Sequence, residues 1–440
     1  MTHDESFPDR KIATLAFGSC HNNKKVMLSN GGNKSIWNSV SGFKPEAFIW
    51  TGDSVYAPEK GGVASISTLT EEYQKTLTND TVGYGEFIKT VPLGAFGTWD
   101  DHDFGANDAG KELPDKDQRQ DAFLNFLGRP QQQKRRDGVY SSVTIGTPPN
   151  QVLVIMLDTR TNRDRHCIPS IASLPLGNVG GTIAALISCM TRWLTVSFQL
   201  NKHISACWER HMLSSWQWQW LEEVIASSTA QAHVVVSSIQ FLTTNPAPES
   251  WGHFDTERAR LMNLFRELPG LVILSGDVHF AELSTTHPKW YSVASGKKRD
   301  SDNIIDIVEV TSSGLTHSVK DLGSLAEWQL KAFDAHRFGP IYLGRNFGTI
   351  HFDWNRNVLR VDVHDHNGGV VLSTGDRPIG RPSTLSEYDI IHVRKLHGGK
   401  LFYLVIGLIV VFGVLIVCTP PHKMFRQIKR KNSEEGKKEE

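Results

Sequence analysis

Short apolar runs recur along the chain, and each breaks off at a glycine or at a knot of polar side chains. The run at 271–274 in LVILSGDVHF predicts a short buried strand that stops at Gly276. Because side chains alternate along a strand, Asp277 and His279 are expected on one face just past its end. The same pattern ends in Ser19, Cys20 and His21 after IATLAFG, and in Gly52 and Asp53, with Tyr56 following, after PEAFIWT. It ends in Trp99, Asp100, Asp101, His102 and Asp103, with Asn107 following, after VPLGAFGT. It ends again in Asp158 and Arg160 after VLVIML, and in Ser237, Ser238 and Gln240 within HVVVSSIQF. Six buried strands that each deliver polar residues at the C-terminal end predict an α/β fold with its site along that edge.

Helical periodicity appears between and after these strands. SSWQWQWLEEVIASS predicts a helix opened by a capping box of Ser214 and Gln217, with Trp216, Trp218 and Trp220 packing it. GHFDTERARLMNLFREL predicts an amphipathic helix with Leu261, Leu264, Phe265 and Leu268 on one face. His253, in the loop before it, is a lesser candidate for the site. FGTIHFDW and VLRVDVHD alternate apolar and polar positions, as outer antiparallel strands do.

Two segments break the pattern. Residues 165–212 carry little charge, no clear periodicity, and Cys167, Cys189 and Cys207. Structureless loops beyond about 15 residues are uncommon in compact domains. The expectation is an insertion, or an intron read into the gene model, with no role of its own. Residues 401–418, LFYLVIGLIVVFGVLIVC, contain no charge. At about 1.5 Å per helical residue such a run covers roughly 30 Å, the thickness of a bilayer's hydrocarbon core. A transmembrane helix is expected over 401–421, ended by Pro420 and Pro421. The tail at 422–440 has seven Lys and Arg against four Glu, which favours the cytosolic side, and its final KKEE resembles a dilysine signal for the endoplasmic reticulum. The leader at 1–11 lacks the apolar stretch of a signal peptide, so the side on which a 12–390 domain sits stays open.

Composition narrows the chemistry. With 440 residues, 39% hydrophobic and 21% charged, the chain can bury a large core. Lys+Arg and Asp+Glu balance at 47 each, so no basic field points to nucleic acid. Five cysteines in a chain of this size do not make a disulfide framework. No G-x-x-x-x-G-K-[ST] loop is present, so nucleotide-driven phosphoryl transfer has no support in the sequence. Asp, Asn, His, Tyr and Cys together with an arginine suit metal ions and an anionic substrate. Carboxylates and amides favour hard cations, whereas thiolate, phenolate and imidazole favour iron or another transition metal. Arginine supplies bidentate contacts to phosphate oxygens.

In order, FGSC, WTGDSVY, GTWDDHD with Asn107, LDTR, QWQWLEE and LSGDVHFAEL resemble the PhoD-like alkaline phosphatases of the calcineurin-like metallophosphatase superfamily, over roughly residues 12–370. The resemblance implies an αββα sandwich of two mixed sheets flanked by helices, with metals at the strand ends. By position, it implies that Cys20, Asp53 and Tyr56 hold an iron, with Asp53 bridging to a second metal. Asn107, Asp277 and His279 would complete a cluster that includes calcium in some members, and Asp100 and Asp101 are further candidate ligands. His102 takes the place of a general acid at the leaving group, and Arg160 that of a phosphate clamp. VTSSGLTHS resembles a polar rim loop of the same family. The activity implied is hydrolysis of phosphomonoesters by a membrane-anchored enzyme, with lipid-linked substrates included. Phosphodiester headgroups of lipids or glycans are the alternative substrate, and an inactive membrane scaffold is the competing reading.

Overall fold

The computed structural model describes residues 5–29, 35–60, 62–129, 136–166, 190–196, 198, 200, 209–286, 305–322, 336–386 and 390. The chain begins with β1 (Glu5–Phe7), β2 (Thr14–Gly18), α1 (Asn23–Ser29), α2 (Ile36–Gly42) and β3 (Ala47–Thr51). It continues through β4 (Glu59–Lys60), β5 (Val63–Ala64), α3 (Ile66–Thr78), α4 (Tyr84–Lys89), β6 (Ala95–Thr98), α5 (Asp101–Phe104) and α6 (Lys116–Phe126). Then come β7 (Ser141–Ile145), β8 (Val152–Met156), α7 (Ser215–Ala226), β9 (Ala232–Val236) and α8 (Asp255–Phe265). The last strands are β10 (Leu271–Ser275), β11 (Ala281–Thr285), β12 (Val308–Ser312), β13 (Asn346–Asp353), β14 (Val358–Asp365), β15 (Val370–Ser373) and β16 (Arg377–Pro378).

Two mixed sheets form the core. One has the order β1-β7-β8-β9-β10-β12-β11 and the other β15-β14-β13-β2-β3-β6, with β16 on β14. In the first, β8, β9, β10 and β12 run parallel, and in the second β2, β3 and β6 do. A parallel bridge between Ser19 and Ser313 joins the C-terminal ends of β2 and β12. The strand ends of both sheets therefore meet along one edge.

The alternation of side chains explains the layers. Leu15, Phe17, Ile49, Val154, Val236, Val272 and Leu274 point into a core shared by the two sheets. Their neighbours Ala16, Phe48 and Trp50 face a second core made with Trp37, Leu69, Phe87 and Phe123 of the helices. Leu153, Ile155, Val235 and Ile273 face a third, made with Trp218, Leu221, Leu261 and Phe265. Each buried strand is apolar on both faces because both faces are covered. The result is the expected helix-sheet-sheet-helix sandwich.

Several local expectations met a different outcome. Ser214 does cap α7, accepting from the Gln217 N–H at 3.1 Å. The Gln217 side chain does not complete a capping box, however; it clamps the backbone of Asp158 with bonds of 2.9 and 3.0 Å. Trp218 and Trp220 are buried, but Trp216 is 68% exposed. Residues 5–7, placed in a leader by the sequence, form the edge strand β1 instead, because Phe7 packs on the inner core and against Phe96. The described parts of 165–212 are held by the domain: Trp193 is buried, and Arg192 pairs with Asp108. The span at 401–421 and the tail at 422–440 lie outside the described residues. Among the described residues, no helix is long and apolar enough to cross a membrane.

Candidate metal centre and active site

The strand ends carry the site on strained backbone. Cys20, Asp53, Asp277 and His279 all have positive φ, at 62°, 50°, 71° and 59°. Non-glycine residues avoid this region, and those that adopt it gather where the surroundings force a functional geometry. The tight approach of the strand ends supplies that force. A Cβ on Gly52, whose φ is +99°, would lie 2.7 Å from the Asp100 Cβ. A Cβ on Gly276 would lie 2.4 Å from the Thr51 carbonyl oxygen and 2.6 Å from the Ser19 hydroxyl. The strand of LSGDVH stops at Gly276 because β10 must pass the ends of β2 and β3 there without a side chain. Gly276→Ala is expected to cost about 1–3 kcal/mol, as overpacking does, and to displace Asp277 and His279. A lower denaturation midpoint and reduced hydrolytic rate check this.

Asp53 sits at the centre. Its Oδ2 accepts from the Tyr56 hydroxyl at 2.7 Å and lies 3.6 Å from the Cys20 sulfur. Its Oδ1 faces the other way and accepts from the His102 N–H at 3.3 Å. The Tyr56 oxygen is also 2.9 Å from His279 Nε2. Cys20, Asp53 and His279 thus bring ligand atoms within 4.8 Å of one another, as do Asp53, Asp101 and His102, and Asp100, Asp101 and Asp277. Asp53 and Asp101 each belong to two of these groups, so the three are continuous. Asn107 lies half-buried on the turn after α5, and among the described residues no hydrogen bond ties its amide to the carboxylates.

The electrostatics call for cations. Burial, reinforced by Asp101, Asp100, Asp103 and Asp277, pushes the Asp53 carboxyl well above its ordinary range. Burial does the same to Asp277, with Asp100 and Asp101 adding to it. The Asp100 carboxyl rises to about 7 through burial, despite Arg160. Burial opposes the Asp101 charge too, but His102 and Arg160 bring that carboxyl below its ordinary value. Burial, then the Asp53 charge, raises the Cys20 thiol and the Tyr56 phenol. Two carboxylate oxygens, Asp100 Oδ2 and Asp101 Oδ1, are buried without a hydrogen-bond partner. A crowd of acids with orphaned oxygens is costly by itself. Multivalent cations fit this donor set, and they would relieve both the repulsion and the orphaned atoms.

Surrounding residues hold the ligands. Asp103 does not face the ligand groups; it accepts from the backbone N–H groups of Ser54, Val55 and Asp100 at 3.1 to 3.2 Å, pinning the turn after Asp53. Asp158 shapes the turn that presents Arg160, accepting from the N–H groups of Arg160 and Thr161 at 2.9 Å each. Arg160 is fully buried; it binds Asp100 Oδ1 at 2.6 Å through Nε and pairs with Glu249 at 2.7 Å. Glu249 in turn pairs with Arg163 at 2.6 Å. The His102 ring lies 4.1 Å from the Tyr56 ring and is partly open to solvent. His21 turns away into the Trp37 and Trp50 aromatic cluster, where burial lowers its pKa to about 4. His253 also stays outside, 3.2 Å from the Pro248 carbonyl.

Groups of side chains that could hold metal ions thus meet beside a buried arginine, and the sequence model of one family, described as PhoD-like phosphatase, matches residues 15–363. The chain belongs to the PhoD-like phosphatase family. It is therefore a phosphoesterase hydrolase of a metal-dependent family. Among solved structures, one of PhoD is 17% identical with a TM-score of 0.45, over 88% of this chain and 77% of that one. The purple acid phosphatase PPD1 from yellow lupin (Lupinus luteus) seeds is 9% identical with a TM-score of 0.43, over 83% of this chain and 54% of that one. No curated protein matches the chain.

The strand-end cluster also includes residues to which the sequence reading gave no role. The Ser313 hydroxyl lies 3.0 Å from the Cys20 sulfur and accepts from the His279 N–H at 2.9 Å. The Ser238 hydroxyl donates to Asp100 Oδ1 at 2.6 Å. His317 packs its ring 4.3 Å from that of His279 and 5.0 Å from that of Tyr56. Ser313 and His317 fall within the VTSSGLTHS rim loop, and Ser238 at a strand end, so their positions carried a signal. Glu249 carried none, since it lies in an irregular stretch with no strand before it.

Proposed function

We propose that this phosphatase hydrolyses phosphate monoesters at the strand-end cluster, with Cys20, Tyr56, His279 and Asp53 holding an iron. Asp53, Asn107 and Asp277, joined by Asp100 and Asp101, would hold one or more further ions, calcium among them. The observation that carries the reading is the divided carboxylate of Asp53. One oxygen meets the Tyr56 phenol and the Cys20 thiol, while the other accepts from the backbone N–H of His102, and Asp53 belongs both to the group with Cys20 and His279 and to the group with Asp101 and His102. The thiol and phenol, which suit a transition metal, thereby stand at one oxygen of Asp53, and the acids Asp100, Asp101 and Asp277, which suit hard cations, form the adjoining group. When bound, such ions lower the pKa of coordinated water to give a nucleophile, and they offset charge on the phosphoryl oxygens. The chain's own groups do the rest. Arg160 fixes Asp100 and adds positive potential where a phosphate would sit. His102, partly open to solvent beside the Tyr56 ring, is the group placed to give a proton to the leaving oxygen.

The apolar run at 401–418 supports a single-pass anchor, and the excess of Lys and Arg in 422–440 supports a cytosolic side for the segment after it. An anchored site would also suit a lipid-linked phosphate ester. The test compares p-nitrophenyl phosphate with bis-p-nitrophenyl phosphate on the full chain. A kcat/KM at least tenfold higher for the monoester is expected. The reverse order would favour a diesterase acting on lipid or glycan headgroups, and hydrolysis of neither would favour a scaffold.

A further inference from the structure

A second set of metal-binding side chains lies away from the catalytic edge. Ile350, Phe352, Val361 and Val363 point into the core between the sheets. By alternation, Thr349 and His351 of β13, with Arg360, Asp362 and His364 of β14, share the opposite, helix-facing side. His351 stands across from Thr14, the first residue of β2, whereas Cys20 follows its last. His351, Asp362 and His364 bring ligand atoms within 4.8 Å of one another.

The atoms that face outward from this set are already held. His364 Nδ1 lies 3.3 Å from the Gly368 carbonyl oxygen, so this nitrogen carries the proton and Nε2 turns a lone pair inward. His351 Nδ1 lies 3.3 Å from the Thr14 hydroxyl. Asp362 Oδ1 accepts from the Ser373 hydroxyl at 2.5 Å, which leaves Oδ2 facing His351 Nε2 at 3.9 Å. Both inward Nε2 atoms converge on the Thr349 hydroxyl, at 2.9 and 2.8 Å. Ligands braced at one atom and turned inward at the other are the usual surroundings of a bound transition metal.

We propose that His351, Asp362 and His364 form a second metal site, distinct from the strand-end centre, that takes a divalent transition ion of the zinc class. Two imidazoles and one carboxylate suit that class, and the 31% exposure of the His351 side chain leaves an entry path and a water position. Zinc–nitrogen bonds of about 2.0–2.1 Å place tetrahedral ligand atoms about 3.3 Å apart, so small side-chain rotations close the set. Arg360 competes, with Nε 2.8 Å from Asp362 Oδ2, but its side chain is 48% exposed and can swing into water. Burial lowers both imidazoles below their ordinary pKa, which keeps them available as neutral ligands. An ion there would tie β13 to β14 across their helix-facing side.

Elemental analysis of the full chain, equilibrated with zinc and desalted, tests the site. His351→Gln is expected to lose one equivalent of zinc and the zinc-dependent rise in melting temperature, with the strand-end metals and hydrolytic activity retained. Arg360→Gln, at a half-exposed position, is expected to bind zinc several-fold more tightly than the wild type. Equal zinc content in wild type and His351→Gln, or unchanged zinc affinity in Arg360→Gln, would overturn the proposal.

Discussion

Glu249→Gln is expected to destabilise the phosphatase by about 3–5 kcal/mol, the cost of leaving buried charge uncompensated. The Glu249 carboxylate is 2% exposed and pairs with Arg160 at 2.7 Å and Arg163 at 2.6 Å. Glutamine keeps the shape and removes only the charge, so the loss isolates electrostatics from packing. Burial opposes the Glu249 charge, but Arg160 and Arg163 overcome it and hold the carboxyl well below the ordinary 4.5. A depressed carboxyl stabilises the fold fully above its unfolded pKa and loses that contribution as pH falls toward the folded one. The gap between wild type and variant should therefore be constant at neutral pH and narrow only below about pH 4.5. Denaturant midpoints across that range check both the size and the sign. A variant as stable as the wild type at pH 7 would mean that Asp100 alone suffices for Arg160.

The second large effect is on activity. Asp53→Asn is expected to lower phosphomonoester turnover roughly a thousandfold, the upper range for deleting one electrostatic group from a dry site. An amide retains an oxygen for Tyr56 but cannot offer two anionic oxygens to two sides of the cluster. Removing the charge also relieves the repulsion among Asp53, Asp100, Asp101 and Asp277, so the metal-free variant should be no less stable than the metal-free wild type. Loss of turnover without loss of apo-protein stability would separate chemistry from folding. Retained turnover would remove Asp53 from the centre.

The strand-end pattern was legible in the sequence because parallel strands covered on both faces must be apolar, so the first polar residues after them mark the sheet edge. Cys20, Asp53, Tyr56, Asp101, His102, Asp277 and His279 were read that way, and they converge. Asp103 and Asp158 stood in the same clusters but proved to be turn builders, since which acid of a run faces inward depends on backbone geometry that composition does not carry. The positive φ of Cys20, Asp53, Asp277 and His279 was equally hidden, although Gly52 and Gly276 hinted at crowding. Gln217 looked like half of a capping box, and tertiary contact with Asp158 outcompeted that local bond. Glu249 comes from an irregular stretch and Arg192 from the helical turns at 190–196, and only packing brings them to Arg160 and Asp108.

The central claim is that metal held by the strand-end residues carries the hydrolysis. The most direct measurement strips the full chain with a chelator and follows metal content, folding and p-nitrophenyl phosphate turnover together as metal is returned. The account predicts a folded, inactive apo-protein whose turnover returns in proportion to the ions bound, and does not return in Asp53→Asn. Undiminished turnover in protein shown to contain no metal would contradict it.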